Sequence, residues 1–254
     1  MYRTALHRSL FAWSRCAVVR AGHGGAVSIL LTLFVLAGCD RASATNQALT
    51  LPAPQLDAAP VRPGELQTTV LAGGCFWGIQ AVFQHVKGVQ SAISGYAGGG
   101  ARDAHYDDVS SGSTGHAEAV KITFDPQVVS YGQLLRVFFS VAHDPTQLNR
   151  QGPDRGTQYR SAIFAANAEQ QRIAAGYIAQ LSALKVFDAT IVTQINGASP
   201  FYRAESYHQD YATNHPDNPY IAINDAPKVV QLQQHFAALY TDRPTLTTTR
   251  VGSR

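Results

Sequence analysis

Thr68-Thr69-Val70-Leu71-Ala72-Gly73-Gly74-Cys75-Phe76-Trp77-Gly78-Ile79-Gln80-Ala81-Val82-Phe83-Gln84-His85 changes its period in the middle. The residues before Gly73 form an apolar run suited to a strand, and the apolar spacing after Gly78 suits a helix. Cys75 therefore falls where a strand turns into a helix. A thiol at such a corner faces unpaired amide N–H groups and the positive end of the helix dipole. Both favour the thiolate and lower the pKa below its free value of about 8.5. Glycines on either side leave room for a substrate to approach the sulfur. A lone cysteine is more often a small buried hydrophobe. Here the flanking glycines and the two large aromatics, Phe76 and Trp77, point instead to a reactive sulfur.

Working outward, strands are predicted at 67–73, 90–96, 117–124, 159–165 and 189–195, and helices at 77–87, 131–142, 168–184 and 227–240. Asn167 supplies an N-cap for the third helix, with Glu169 and Gln170 in its first turn. The alternation implies one α+β domain with a mixed sheet over residues 66–243. Between its elements lie long loops at 97–116, 143–158 and 197–225, rich in Gly, Tyr, His and Asp. Long loops on a compact domain usually carry function.

The ends read differently. Residues 1–25 contain Arg3, Arg8, Arg15 and Arg20 and no acid, and Ala26 to Ala37 is an uncharged apolar run. A basic region followed by a short apolar core is the pattern of a secretory signal. Twelve residues are too few for a spanning helix, which needs about 20. The run ends in Leu36-Ala37-Gly38-Cys39, which resembles the bacterial lipobox. That resemblance implies a lipoprotein signal over 1–38, acylation of Cys39 and a lipid anchor in the bacterial cell envelope facing the periplasm. Asp40 directly after the Cys favours retention at the inner membrane. The length of the basic region places the true translation start downstream of Met1. Residues 39–65, with Pro52, Pro54, Pro60 and Pro63, read as a linker spanning roughly 25–30 Å as a flexible coil. Residues 244–254 lack periodicity and read as a disordered tail.

Composition narrows the function. A net charge of +3 on 254 residues, part of it in the basic N-terminal segment, gives no case for nucleic acid. Three cysteines without a CxxC pair, and no HExxH, give no case for a disulfide scaffold or a metal site. The histidines at 105, 116, 143 and 208 are scattered in sequence, as structural histidines are. No heptad or repeated apolar face marks a dimer, so a monomer is expected.

Four blocks carry the chemistry. After the Cys75 hexapeptide come His105-Tyr106-Asp107-Asp108-Val109 and Gly115-His116-Ala117-Glu118-Ala119-Val120. Then follow Gly152-Pro153-Asp154-Arg155-Gly156-Thr157-Gln158-Tyr159-Arg160-Ser161, and Phe201-Tyr202-Arg203-Ala204-Glu205-Ser206-Tyr207-His208-Gln209-Asp210-Tyr211. In this order the blocks resemble the A-type peptide methionine sulfoxide reductases over about residues 67–240. The resemblance implies a two-layer α+β sandwich with a ferredoxin-like core and a peptide-methionine (S)-S-oxide reductase activity with no bound cofactor. It implies Cys75 as the nucleophile, which leaves methionine and a cysteine sulfenic acid. Glu118 is then the acid, Tyr106 and Tyr159 hydrogen-bond the sulfoxide oxygen, Asp154 orders the site, and Phe76 and Trp77 wall in the S-methyl group. A proton donor at Glu118 requires a carboxyl kept neutral by burial, and its place within the apolar run Ala117 to Phe124 suits that. His208 has no assigned catalytic role and is expected as site support.

The chain departs from many such reductases in carrying no recycling cysteine. Cys16 leaves with the signal and Cys39 is lipidated, so one free thiol remains. The sulfenic acid is then resolved by an external thiol, thioredoxin-like or glutathione/glutaredoxin-like. Two other readings compete. Cys75 with His208 and Asn224 downstream has the spacing of a papain-like protease, but the C-G-[SA]-C-[WY] signature is missing. A non-catalytic envelope lipoprotein that binds oxidised peptides would not require the acid and phenols that are present.

Overall fold

The computed structural model describes residues 50–59 and 61–247. The sites expected at Cys16, Cys39 and Asp40, and the signal itself, lie outside the described residues. Among the described residues eight strands occur: β1 (Gln67–Gly73), β2 (Val89–Ala97), β3 (Ala117–Phe124), β4 (Arg150–Gln151), β5 (Asp154–Arg155), β6 (Ser161–Phe164), β7 (Gln194–Asn196) and β8 (Phe201–Arg203). The α-helices are α1 (Phe76–Gln84), α2 (Tyr106–Ser110), α3 (Tyr131–Val137), α4 (Ala168–Ala183), α5 (Tyr211–Asn214) and α6 (Ala226–His235). A π-helical turn, Phe138–Ala142, extends α3.

Six strands form one sheet in the order β7-β6-β1-β3-β2-β8. All its pairings are antiparallel except β6 with β7, so the sheet is mixed. Its centre, β6-β1-β3-β2, with α1 between β1 and β2 and α3 between β3 and β6, is the βαββαβ arrangement of a ferredoxin-like core. Alternation along β3 sorts the two faces. Val120, Ile122 and Phe124 join the large core with Phe76, Ile79, Val82 and Phe83 of α1, Leu134 and Leu135 of α3, and Ile173 and Leu181 of α4. Ala117 and Ala119 point the other way, into a small cluster with Val70, Ala72, Ala97 and Phe164 under Phe201. Glu118 therefore faces the helices.

The helix starts follow local chemistry. Ser130 and Gln133 cap α3 reciprocally, and the Asn167 side chain accepts from the Gln170 amide at the start of α4. Several predicted elements are shorter than expected, two of them most clearly. Of the run 189–195 only 194 and 195 join the sheet, in a strand that goes on to Asn196, because Val192 N–H donates to the Pro145 carbonyl and Thr193 bonds Ser161. α6 stops at His235, after which the chain turns back and Tyr240 pairs with Val86.

Both ends of the domain need correcting. Residues 50–59, expected in a free linker, are docked. Leu51 is fully buried, Arg136 Nε donates to its carbonyl at 2.6 Å, and Tyr177 Oη donates to Pro52 O at 2.8 Å. Asp57 accepts the Gly132 amide at 2.8 Å at the start of α3. One leucine with its polar flanks supplies enough apolar burial, about 2 kcal/mol, to hold the arm down. At the other end Pro244–Thr247, expected to be disordered, is also held: Thr245 N–H donates to Gln84 O, and Thr247 bonds Asp210 through its amide and hydroxyl. Among the described residues no helix is long and apolar enough to cross a membrane.

Candidate active site

β1 delivers the chain to the site through Gly73 and Gly74. Gly74 has φ +99°, and a Cβ there would come within 2.5 Å of the Gln151 side chain, so conformation and space both demand glycine. Cys75 is the N-cap residue of α1 and is 9% exposed. β3 brings Glu118 to the same corner, 3% exposed, with Oε2 accepting the Phe76 amide at 3.0 Å.

The two loops seat the phenols. Tyr106 opens α2, and its amide donates to Glu205 Oε1 at 3.0 Å, while Tyr96 Oη donates to Oε2 at 2.8 Å. Tyr159 ends a 3₁₀ turn tied to the end of α2: Thr157 Oγ1 donates to Gly112 O at 2.6 Å and Gln158 Nε2 to Ser110 O at 3.0 Å. Asp154 stands in the β4–β5 hairpin and accepts Tyr220 Oη at 2.5 Å. Trp77 is fixed on two sides. Its indole N–H donates to His208 Nδ1 at 3.2 Å, and Tyr211 stacks on it at 3.9 Å between ring centres.

These elements enclose one cavity of about 120 Å³, lined by Cys75, Phe76, Trp77, Tyr106, Glu118, Asp154, Tyr159 and Tyr220. All seven residues singled out in the domain's sequence meet there. Tyr220 is the addition. It lies in the 197–225 loop, whose length and tyrosine content marked it as functional but did not single out this phenol. The space holds a few heavy atoms, the size of a methyl sulfoxide group rather than a folded segment.

Electrostatics correct one expectation. The Cys75 thiol is pushed well above its ordinary range, not below it. Burial is the main cause, and negative charge on Glu118 and Asp225 adds to it, while the Trp77 amide and Lys228 oppose it and lose. The helix end does favour a thiolate, but two carboxyl groups compete for that end and water is excluded from the sulfur. Glu118 is raised to about 8, by burial first and then by Asp154 and Asp225, against the bond from the Phe76 amide. Both groups are thus protonated in the neutral resting site. Tyr106 and Tyr159 are raised by burial and by Glu118, which keeps them hydrogen-bond donors. Burial also raises Asp154, opposed by Tyr220.

A protease arrangement is absent from this corner. His208 Nδ1 accepts from Trp77, its Nε2 is buried without a partner among the described residues, and Asn224 bonds the Tyr220 carbonyl. His208 is held below its ordinary pKa by burial, and it packs behind Phe76, Trp77 and Tyr106. His116 and His143 are buried in backbone contacts, to Gly99 and Gly100 and to Phe138. Among the described residues no three His, Cys, Asp or Glu group together to hold a metal.

Comparison with known proteins agrees with this chemistry. The family model described as peptide methionine sulfoxide reductase matches residues 67–240. Peptide methionine sulfoxide reductase MsrA 2 of Mesorhizobium japonicum is 60% identical over 184 residues, covering 72% of this chain and 94% of that protein. MsrA 2 of Synechocystis sp. is 48% identical over 189 residues, covering 74% of this chain and 88% of its own. Among solved structures, methionine sulfoxide reductase A of Corynebacterium diphtheriae superposes with a TM-score of 0.51 at 34% identity, over 68% of this chain and 90% of that one. Reduced Mxr1 from Saccharomyces cerevisiae gives 0.55 at 30% identity, over 63% and 91%. The chain belongs to the peptide methionine sulfoxide reductase family.

Proposed function

We propose that this reductase acts on the S epimer of methionine sulfoxide, free or in oxidised envelope proteins, with Cys75 as its one reacting sulfur. The observation that carries the reading is the single cavity in which Cys75, Glu118, Tyr106 and Tyr159 meet under the aromatic walls of Phe76 and Trp77. The sulfoxide oxygen lies toward the two phenols and the neutral carboxyl, and its methyl group lies against the aromatics. Cys75 attacks the sulfoxide sulfur. Glu118 protonates the oxygen as its bond to that sulfur breaks, the hydroxyl passes to the Cys75 sulfur, and methionine leaves. The thiol proton of Cys75 returns to Glu118, so methionine sulfoxide and thiol yield methionine and sulfenic acid without net proton uptake. Asp154 and Tyr220 close the far side of the cavity.

An external thiol then displaces water from the sulfenic acid to give a mixed disulfide, and a second thiol restores Cys75. A thioredoxin-like dithiol or a glutathione/glutaredoxin-like system meets that need, and no bound cofactor enters the cycle. The single-cysteine cycle is supported by the absence of any cysteine in this sequence beyond Cys16, Cys39 and Cys75. The Leu36-Ala37-Gly38-Cys39 box supports lipidation at Cys39 and a periplasm-facing anchor, at the inner membrane if Asp40 acts as a retention signal. The domain is read as a monomer.

The test is consumption of each epimer of methionine sulfoxide with dithiothreitol, by wild type and by Cys75→Ser. Turnover of the S epimer by wild type alone is expected; equal turnover by both removes Cys75 from the mechanism. After substrate without reductant, the peptide containing Cys75 should gain the mass of one oxygen, and an internal disulfide would contradict the single-cysteine cycle. Palmitate labelling lost in Cys39→Ser checks the anchor, and label retained in that variant excludes it.

A further inference from the structure

A second carboxyl group besides Glu118 reaches the positive end of α1. Asp225, at the start of α6, is fully buried against the first turn of α1. A Cβ built on Gly78 would come within 2.1 Å of Asp225 Oδ1 and 2.8 Å of Lys228 Nζ, so the carboxylate occupies the space a side chain would need. Lys228 Nζ pairs with Oδ1 at 3.0 Å, and Oδ2 is buried with no hydrogen-bond partner among the described residues. Such a pair adds little to stability, because desolvating both charges offsets their attraction. Its position gives it another use. A helix N-terminus favours negative charge within its first turn, and two candidates for that charge stand here: the Asp225 carboxylate beside Gly78 and the Cys75 sulfur at the cap.

We propose that the Asp225–Lys228 pair sets the resting form of Cys75: the carboxylate occupies the positive end of α1, so that end does not draw the sulfur into its thiolate form, and Lys228 fixes the carboxylate there. Asp225 lies outside the cavity lining and is a positioning residue. Its charge disfavours the thiolate, and that of Lys228 favours it. The other groups facing the sulfur are Glu118 on β3, Asp154 on β5, Tyr106 on α2, Tyr159 on its 3₁₀ turn and Tyr220 before α6. Of these, Glu118 titrates at about 8 and would blur the Cys75 transition. The pair adds to the burial that keeps a cysteine at a helix cap in its thiol form. This rests on Cys75 being the reacting sulfur, yet its titration is read without turnover.

The experiment follows alkylation of Cys75 by iodoacetamide against pH, by mass spectrometry of the peptide that contains it, in a Glu118→Gln background. Asp225→Asn is expected to lower the midpoint by about one pH unit, making alkylation roughly tenfold faster below it. The double variant Asp225→Asn/Lys228→Met should fall between this and the parent. An unchanged midpoint in both overturns the proposal. So does a double variant at the parent midpoint, since the single change would then report only the unpaired Lys228. Looser packing alone raises the plateau rate and leaves the midpoint where it was, which also overturns it. Should Asp225→Asn fail to fold, the uncharged double variant carries the comparison. Loss of sulfoxide turnover in Cys75→Ser is a separate result, so the two readings fail independently.

Discussion

Replacing Glu118 by Gln should stabilise the protein in a pH-dependent way while removing its activity. Glu118 is 3% exposed, and burial raises it from an ordinary value of 4.5 to about 8. The folded state therefore holds a proton that the unfolded chain has released throughout that window, and wild-type stability falls as pH rises through it. Each pH unit costs about 1.4 kcal/mol, so wild type loses about 3 kcal/mol between pH 4.5 and pH 7 and about 4 kcal/mol by pH 8. Gln keeps the shape, accepts the Phe76 amide through its carbonyl and has no proton to lose. Urea unfolding at several pH values between 5 and 8 gives the difference between variant and wild type, which should grow by about 1.4 kcal/mol per pH unit. Turnover of the S epimer should fall about 10²–10⁴-fold in the variant below about pH 8, and the gap should narrow above it as wild-type turnover declines with the loss of the Glu118 proton. A stability difference that stays flat over this range would mean that Glu118 ionises like an exposed carboxylate, and the neutral-acid mechanism would fail with it.

Leu51→Ala should destabilise the domain by roughly 2–5 kcal/mol, read from the urea midpoint, because a fully buried side chain leaves a cavity under the docked arm; a change near zero would mean the arm is not held in solution. Gly78→Ala should cost about 1–3 kcal/mol and disturb the Asp225–Lys228 pair, since the added methyl lands within 2.1 Å of Asp225 Oδ1. Tyr220→Phe removes the 2.5 Å bond to Asp154 at the cavity wall, and turnover should fall roughly tenfold with little change in unfolding midpoint. Unchanged kinetics there would make Tyr220 a lining residue only.

What could be read in advance follows from the range over which each feature is encoded. The alternation in 117–124 places Glu118 opposite Ala117 and Ala119 and on the side of Val120 and Ile122, a local pattern that the sheet reproduces. Asn167 caps α4 through a bond to the Gln170 amide, again within one turn. The short elements inside the loops, α2 and β8, span too few residues to show a period. They exist because Glu205 binds the Tyr106 amide and because β8 pairs with β2. The docked arm at 50–59 was hidden by its prolines, which suit a linker equally well; burial of Leu51 and distant donors on α3 and α4 hold it.

The misjudged acidity of Cys75 has the same origin. A helix N-terminus after a strand is visible in the stretch 68–85, and taken alone it predicts a thiolate. Which charges converge on that terminus depends on β3 and α6, and both bring carboxyl groups. The outcome suits the reaction better than the expected thiolate would. Reduction of a sulfoxide to a sulfide and a sulfenic acid consumes no net proton, provided the thiol's own proton reaches the departing oxygen. A site holding Cys75 and Glu118 both protonated carries that proton from the start and one more to lend. A preformed thiolate would have to take it from water entering the cavity of about 120 Å³. Turnover should therefore be insensitive to pH below about 8, although its nucleophile is a thiol whose own ionisation lies higher.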